Sequence, residues 1–305
     1  MRNGQGTSDK GQVTDGILVI DKPSDWTSHD VVAKVRNLCR TRRVGHTGTL
    51  DPFATGVLVI CLNRATRLVQ FLTGDDKEYL ATIHFGFATD TGDLTGTPLS
   101  SQVSTAHLNE ALLEPALQQF RGRITQIPPM YSAKKIGGVR LYEMARRGEE
   151  VERQPITVEI KQLELVTPWQ HDECQVRVVC SAGTYIRTLA EDIGKELGLG
   201  AHLTALRRTR VGDCDLSQAR TLDELAAIAE AGTLAEIIQP MAAVLPLPAV
   251  FLNAKEAEMV SHGRTIHQIG EWPTGQQVKL MDNQKLLAIA DYDAPTNRLH
   301  PRVVF

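Results

Sequence analysis

The sequence predicts an α+β protein, in which strands and helices are interspersed along one large unit and a small β-rich module follows. Three observations carry this. Apolar runs of strand length alternate with helical stripes from Gly16 to beyond Thr221. After Leu245-Pro-Leu-Pro248 the texture changes to short alternating runs broken by Gly and Pro. A chain of 305 residues is long enough for one large domain, expected over 16–245, and a small one over 246–305.

The elements follow in order. Residues 1–15, MRNGQGTSDKGQVTD, are polar and Gly-rich with no apolar stretch after their charges, so they read as a disordered lead-in rather than a secretory signal, and the protein is expected in the cytoplasm. Gly16–Ile20 is a buried strand stopped at Asp21-Lys22-Pro23, because Pro lacks a donor and restricts its predecessor. A helix follows, capped by Thr27 or Ser28, with Val31, Val32, Val35 and Leu38 as its stripe. Asp30 suits its positive end, and Arg40, Arg42 and Arg43 its negative end. Val44–Gly56 has neither period and holds three glycines, so it reads as a structured loop feeding the strand Val57–Leu62.

A helix over Ala65–Leu72 and a strand over Lys77–Phe85 come next, with Tyr79, Ala81, Ile83 and Phe85 on one face. Between Ser100 and Gly122 a capped helical stretch is interrupted by Pro115. The segment over about 124–153, with Pro128-Pro129 and many basic residues, reads as mobile and exposed. Strands are predicted over Thr157–Thr167, Glu173–Ser181 and His202–Val211, with an amphipathic helix opened by Gly183-Thr184 between the last two. Thr221-Leu-Asp-Glu224 is a capping box.

Composition narrows the function. No apolar run approaches the roughly 20 residues that span a bilayer. Five cysteines without a CxxC pair, and nine histidines without HExxH, argue against a disulfide framework and a protein-held metal and leave buried free thiols as the expectation. A net charge of −3 argues weakly against nucleic acid, but basic residues gather in Arg36–Arg43, around Lys134–Arg147, and at Arg207, Arg208 and Arg210. A surface divided in this way still suits RNA.

Taken alone, Asp51 before Pro52 is an ordinary turn start. Tyr79 and Tyr185 read equally as core aromatics, Arg187 as a surface residue of a first helical turn, and Gly45 and Gly48 as turn glycines.

Taken together, GILVIDKP, TSHDVV and GHTGTLDPFATGVLVICL, then DKEYLATIHFGFATDTGD, QIPPMYSAKKIGGVRLYEMARRG, SAGTYIRTLAEDIG and HLTALRRTRVG, resemble the bacterial tRNA pseudouridine-55 synthase family in its own order, from Gly16 to Gly212. The resemblance implies a mixed, mainly antiparallel sheet flanked by helices, with RNA crossing a central cleft. It also implies conversion of uridine to pseudouridine at position 55 in the T loop of tRNA. That reaction breaks C1′–N1, turns the base and joins C1′ to C5, so a carboxylate nucleophile suffices without cofactor or metal.

By the same resemblance Asp51 is the nucleophile and Arg187 its cationic partner, since a guanidinium favours the charged carboxylate through two parallel hydrogen bonds. Tyr79 stacks on the uracil and helps remove the C5 proton. Tyr185 and Leu206 line the base pocket, and Lys22 lies at its edge, a solvated turn lysine being the alternative. His46 stacks where bases have left, or else is satisfied by loop backbone. Arg146 and Arg147, on the segment over 124–153, contact phosphate, or else sit on a solvated hairpin. The tail, ending in NRLHPRVVF, resembles the family's small RNA-binding module, with Asp282-Asn283-Gln284 where a Gly turn is usual. The expected partner is the T stem-loop of tRNA, bound by a monomer without a membrane or an obligatory protein partner. Two alternatives stay open: a guide-RNA-dependent subunit, and a tRNA-folding chaperone whose catalysis is incidental.

Overall fold

The computed structural model describes residues 14–132, 134–167 and 169–305; within these, the side chains at 135, 136, 140 and 146 are outside the description. The candidate Arg146 is therefore outside the described side chains, as is most of the lead-in. Asp15 at its end is held, accepting from the backbone N–H and Nε of Arg64 at 2.9 and 2.6 Å.

Strand β1 (Gly16–Lys22) leads into helix α1 (Ser28–Leu38), then β2 (Val44–His46) and β3 (Thr55–Leu62). The loop reading missed β2, because three residues are too few to show alternation; they pair antiparallel with β3. A 3-10 turn over Asn63–Leu68 and α2 (Val69–Leu72) occupy the predicted second helix, followed by β4 (Lys77–Phe85). Helix α3 (Glu110–Gln119) is capped by Asn109 and tolerates Pro115. The segment beyond it opens with β5 (Gly122–Gln126) and carries a hairpin of β6 (Lys135–Ile136) and β7 (Val139–Arg140), then α4 (Leu141–Arg146). Next come β8 (Ile156–Leu165), β9 (Glu173–Cys180), α5 (Ile186–Glu196), β10 (Ala201–Val211), β11 (Cys214–Asp215) and α6 (Leu222–Ala231).

These strands form a mixed sheet in the order β1-β3-β10-β4-β9-β8-β5, with β2 on β3 and β11 on β10. Its single parallel join is β3 with β10, at Thr55 and Gly56 beside Arg207 and Arg208; the other pairings are antiparallel. Gly56 is required at that join. Its φ is +102°, and a Cβ there would sit 2.1 Å from the Arg208 carbonyl oxygen.

Helices cover the sheet according to their stripes. Val31, Val32 and Val35 of α1 pack with Leu222 and Leu225 of α6 on Leu18, Ile20, Leu58 and Ile60. Ile186, Leu189 and Ile193 of α5 pack with α3 on Ala81, Ile83 and Phe85. All five cysteines are unpaired and buried, and burial pushes their thiols up to about 11 or 12. No helix among the described residues is long and apolar enough to cross a membrane.

After Leu245 the chain enters a second sheet built from β12 (Ala249–Phe251), β13 (Ile266–His267), β14 (Gln277–Asp282), β15 (Lys285–Asp293) and β16 (Arg298–Val304), with α7 (Ala254–Ser261) against it. The β14–β15 hairpin closes without glycine: Asn283 takes φ +51°, a region that Asn tolerates better than most residues. One face of this sheet joins the larger body, where Met281, Leu286 and Ile289 share a cluster with Ile17, Val19, Val57 and Val59.

Candidate functional site

The GHTGTLDP loop crosses the sheet beside the parallel join, and four side chains from four elements hold it. Ser28, the first residue of α1, accepts from the Leu50 N–H at 2.9 Å and donates to the Leu50 carbonyl at 3.2 Å. Lys22, from the end of β1, donates to the carbonyls of Pro23, Trp26 and Pro52 at 2.7, 2.7 and 3.0 Å. Arg208 of β10 donates to the carbonyls of Val57, Gly48 and Thr49 at 2.7, 3.1 and 3.4 Å. Arg187, in the first turn of α5, donates to Asp51 through Nε at 2.9 Å and Nη2 at 3.2 Å.

Asp51 also starts a tight turn, its carbonyl accepting from the Ala54 N–H at 3.1 Å. The ordinary Asp-Pro turn is thus present, and it aims the carboxylate. Arg187 is 5% exposed and Asp51 33%, so the pair shows one open side of the carboxylate to a pocket while its cation stays dry. The guanidinium is further fixed by the carbonyls of Thr91 and Tyr131 at 2.7 and 2.6 Å, and by Asp93 at 3.6 Å. Asp93 in turn accepts from Thr91 Oγ1 at 2.9 Å and from the Thr95 N–H at 3.0 Å. A buried cation with this many partners is rigid, and removing one leaves a charge uncompensated.

The pocket in front of Asp51 measures about 330 Å³, and Tyr79, Tyr185, Arg187, Leu206 and Asp51 all line it. That is the low end of the roughly 300–1,000 Å³ usual for small-molecule sites, which suits one nucleoside. Tyr79 and Arg208 are cross-strand partners on β4 and β10. Burial pushes the Tyr79 phenol up, with Arg208 beside it pulling the other way, so the ring presents a neutral hydroxyl. Tyr185 is positioned by Gln126, a buried β5 residue that receives the Tyr185 N–H at 3.0 Å and donates to its carbonyl at 3.1 Å. Burial raises this phenol as well.

Three predicted residues lie elsewhere. Lys22 is neither at the pocket's edge nor a solvated turn lysine: it is fully buried beneath the loop, and desolvation first, opposed by Asp25 and Asp51, lowers it to about 8. His46 precedes the pocket-lining residues Thr47 and Gly48 without lining the pocket itself; its ring meets His29 edge to face at 5.7 Å. Arg147 is paired with Glu149 at 2.8 Å on the exposed segment after α4.

The basic cluster of β10 also divides. Arg207 is spent on Asp21 at 3.1 and 2.7 Å and Arg210 on Glu78, while Arg208 is interior. Arg208, Lys77, Asp93, Ser28 and Gln126 were not singled out as site residues from the sequence. Strand alternation was the available signal for Arg208, since it lies two residues after the inward Leu206. Among the described residues, no group of three or more His, Cys, Asp or Glu side chains is arranged to hold a metal ion.

The profile of the TruB family pseudouridylate synthase N-terminal domain matches residues 36–186, and that of the tRNA pseudouridylate synthase B C-terminal domain matches 187–246. The chain is 43% identical to a tRNA pseudouridine synthase B of Solibacter usitatus over 95% of this chain and 99% of the relative. It is 48% identical to one of Symbiobacterium thermophilum over 82% of each. Among solved structures, a Cbf5–Nop10–Gar1 complex superposes with a TM-score of 0.73 at 29% identity, covering 95% of this chain and 84% of that one. Fold and sequence together define a pseudouridine synthase, an isomerase. The chain belongs to the TruB family of pseudouridylate synthases.

Proposed function

We propose that this enzyme converts uridine to pseudouridine at position 55 in the T loop of tRNA, with Asp51 as nucleophile on a base extruded into the pocket. The observation that carries the reading is the Asp51 carboxylate, gripped through two hydrogen bonds by a buried Arg187 and open to a pocket of nucleoside size. In this reading the uracil leaves its stack and settles on Tyr79, with Tyr185 and Leu206 as walls, and His46 fills space the bases vacate. Extrusion costs a few kcal/mol, which these contacts offset. Asp51 forms the covalent adduct, the C1′–N1 bond breaks, the base turns, and C1′ joins C5; Asp51 is then released, and as the C5 proton leaves through the Tyr79 hydroxyl beside Arg208, N1 is protonated.

The tRNA substrate is supported by the names of the relatives, and an RNA surface by charge. Lys34, Arg36, Arg40, Arg42 and Arg43 are exposed, lie close together on α1 and the turn after it, and have no carboxylate partner among the described residues. Unpaired cations release counterions from phosphate. Arg147 contributes only if RNA displaces Glu149.

The test is single-turnover pseudouridine formation in an unmodified tRNA transcript, mapped to the nucleotide, with the intact protein and with Asp51→Asn. Product at the T-loop uridine that vanishes in the variant supports activity, site and nucleophile together. The same assay contains no other protein or guide RNA. Turnover there removes the guide-dependent alternative, and tRNA binding or refolding without product would make the chaperone role the primary one.

A further inference from the structure

Ser132 lies at the root of the segment carrying β6, β7 and α4, buried to 6% exposure and lining the pocket. Its hydroxyl is one of three buried side-chain polar atoms without a hydrogen-bond partner among the described residues; the other two, on His46 and Asp291, are outside the pocket lining. An unmade hydrogen bond in a dry site is unfavourable, and such groups are rare in folded proteins. The backbone around it is fixed. The Ser132 N–H donates to the Met130 carbonyl at 3.0 Å, its carbonyl accepts from the Tyr142 N–H at 3.1 Å, and the preceding carbonyl of Tyr131 receives Arg187 Nη2 at 2.6 Å.

The cations around the pocket are already engaged: Arg187 with Asp51, Arg208 with three loop carbonyls, and Lys77 with the Thr73 carbonyl at 2.8 Å. Ser132 stands beside the Tyr185 phenol, and its hydroxyl acts to lower that phenol against the burial that raises it. A hydroxyl held there can donate to an incoming acceptor.

We propose that Ser132 reads the substrate base, its hydroxyl donating a hydrogen bond to a ring carbonyl oxygen, O2 or O4, of the extruded uridine. The inference rests on the pocket being the uridine site. Because Tyr131 carries one of the Arg187 bonds, seating the base on Ser132 also steadies the guanidinium that holds Asp51.

The experiment compares the intact protein, Ser132→Ala and Ser132→Thr under single turnover, with tRNA carrying uridine, 2-thiouridine or 4-thiouridine at the target, sulfur being the weaker acceptor. Ser132→Ala should lower kcat/KM on uridine by roughly 3- to 10-fold, the loss of one hydrogen bond, and Ser132→Thr should restore most of it. At one of the two thio positions the intact protein should lose a similar factor and Ser132→Ala nothing further. If Ser132→Ala matches the intact protein, or if both thio penalties multiply with the substitution, the inference is overturned. Should Ser132→Ala fail to fold, Ser132→Thr against Ser132→Val makes the same comparison. Absence of product with the intact protein overturns the uridine-site reading itself, a result distinct from these.

Discussion

Desolvation keeps a half-buried histidine uncharged at neutral pH, and His46 is in that position. Desolvation first, then His29 and Arg208, lowers it to about 4 from the ordinary 6.5, against a hydrogen bond to the Gly48 backbone that raises it. The role proposed for it is therefore that of a neutral stacking ring, not a cation for phosphate. Two outcomes follow from the sign of the shift. Between about pH 4 and 6.5 the unfolded chain binds a proton that the folded one does not, so this contribution to stability is complete above 6.5 and is lost as pH falls through that window. Chemical denaturation at several pH values should show the slope in the intact protein and a shallower one in His46→Phe. Affinity for tRNA should change equally for both proteins between about pH 6 and 8; tightening on acidification that His46→Phe abolishes would assign the ring a charge instead.

At the scale of elements, α1 divides work between adjacent residues that the sequence leaves indistinguishable. Thr27 and Ser28 are both credible caps. Thr27 accepts from the Asp30 N–H within a complete capping box, whereas Ser28 turns inward and holds Leu50 of the loop. Thr27→Ala should cost about 1 kcal/mol of stability and little activity. Ser28→Ala strands the buried Leu50 N–H, costs about 1–3 kcal/mol, and should lower turnover more than its stability loss explains, since the residue after Leu50 is the carboxylate. Parallel denaturation and single-turnover assays separate the two, and equal activity losses would refute the division.

The same contrast marks what was legible. Apolar pattern located β1, α1, β4 and α5, because each has a face to bury, and a capping box located α6. The pattern missed β2 and β5, one too short to alternate and the other with most of its residues outside the core. Asp51, Tyr79, Tyr185, Arg187 and Leu206 were reached through their motifs, and they meet in one pocket. Lys22 and Arg208 were not placed, because whether a cation faces water or carbonyl oxygens depends on residues distant in sequence.

At the scale of the whole molecule, the second sheet is joined to the first by shared core rather than tethered to it. The run Leu286–Ala290 is unbroken apolar sequence, and the strand is buried on both faces: Leu286 and Ile289 face the larger body, while Leu287, Ala288 and Ala290 face the small sheet's own core beneath α7. Lys279 adds hydrogen bonds to the carbonyls of Ala242 and Leu245, both at 3.0 Å, across the junction. Two sheets sharing buried side chains should unfold together, so calorimetry should show one transition. Ile289→Ala opens a cavity in the shared cluster and should destabilise the whole molecule by about 2–5 kcal/mol, lowering that transition without splitting it. Leu299→Ala, within the small sheet's own core, should do the same if coupling is complete. Two separated transitions, with pseudouridine formation surviving the lower one, would mean instead that the second sheet is an independent module and that Ile17, Val19 and Val57 are stable without its cover.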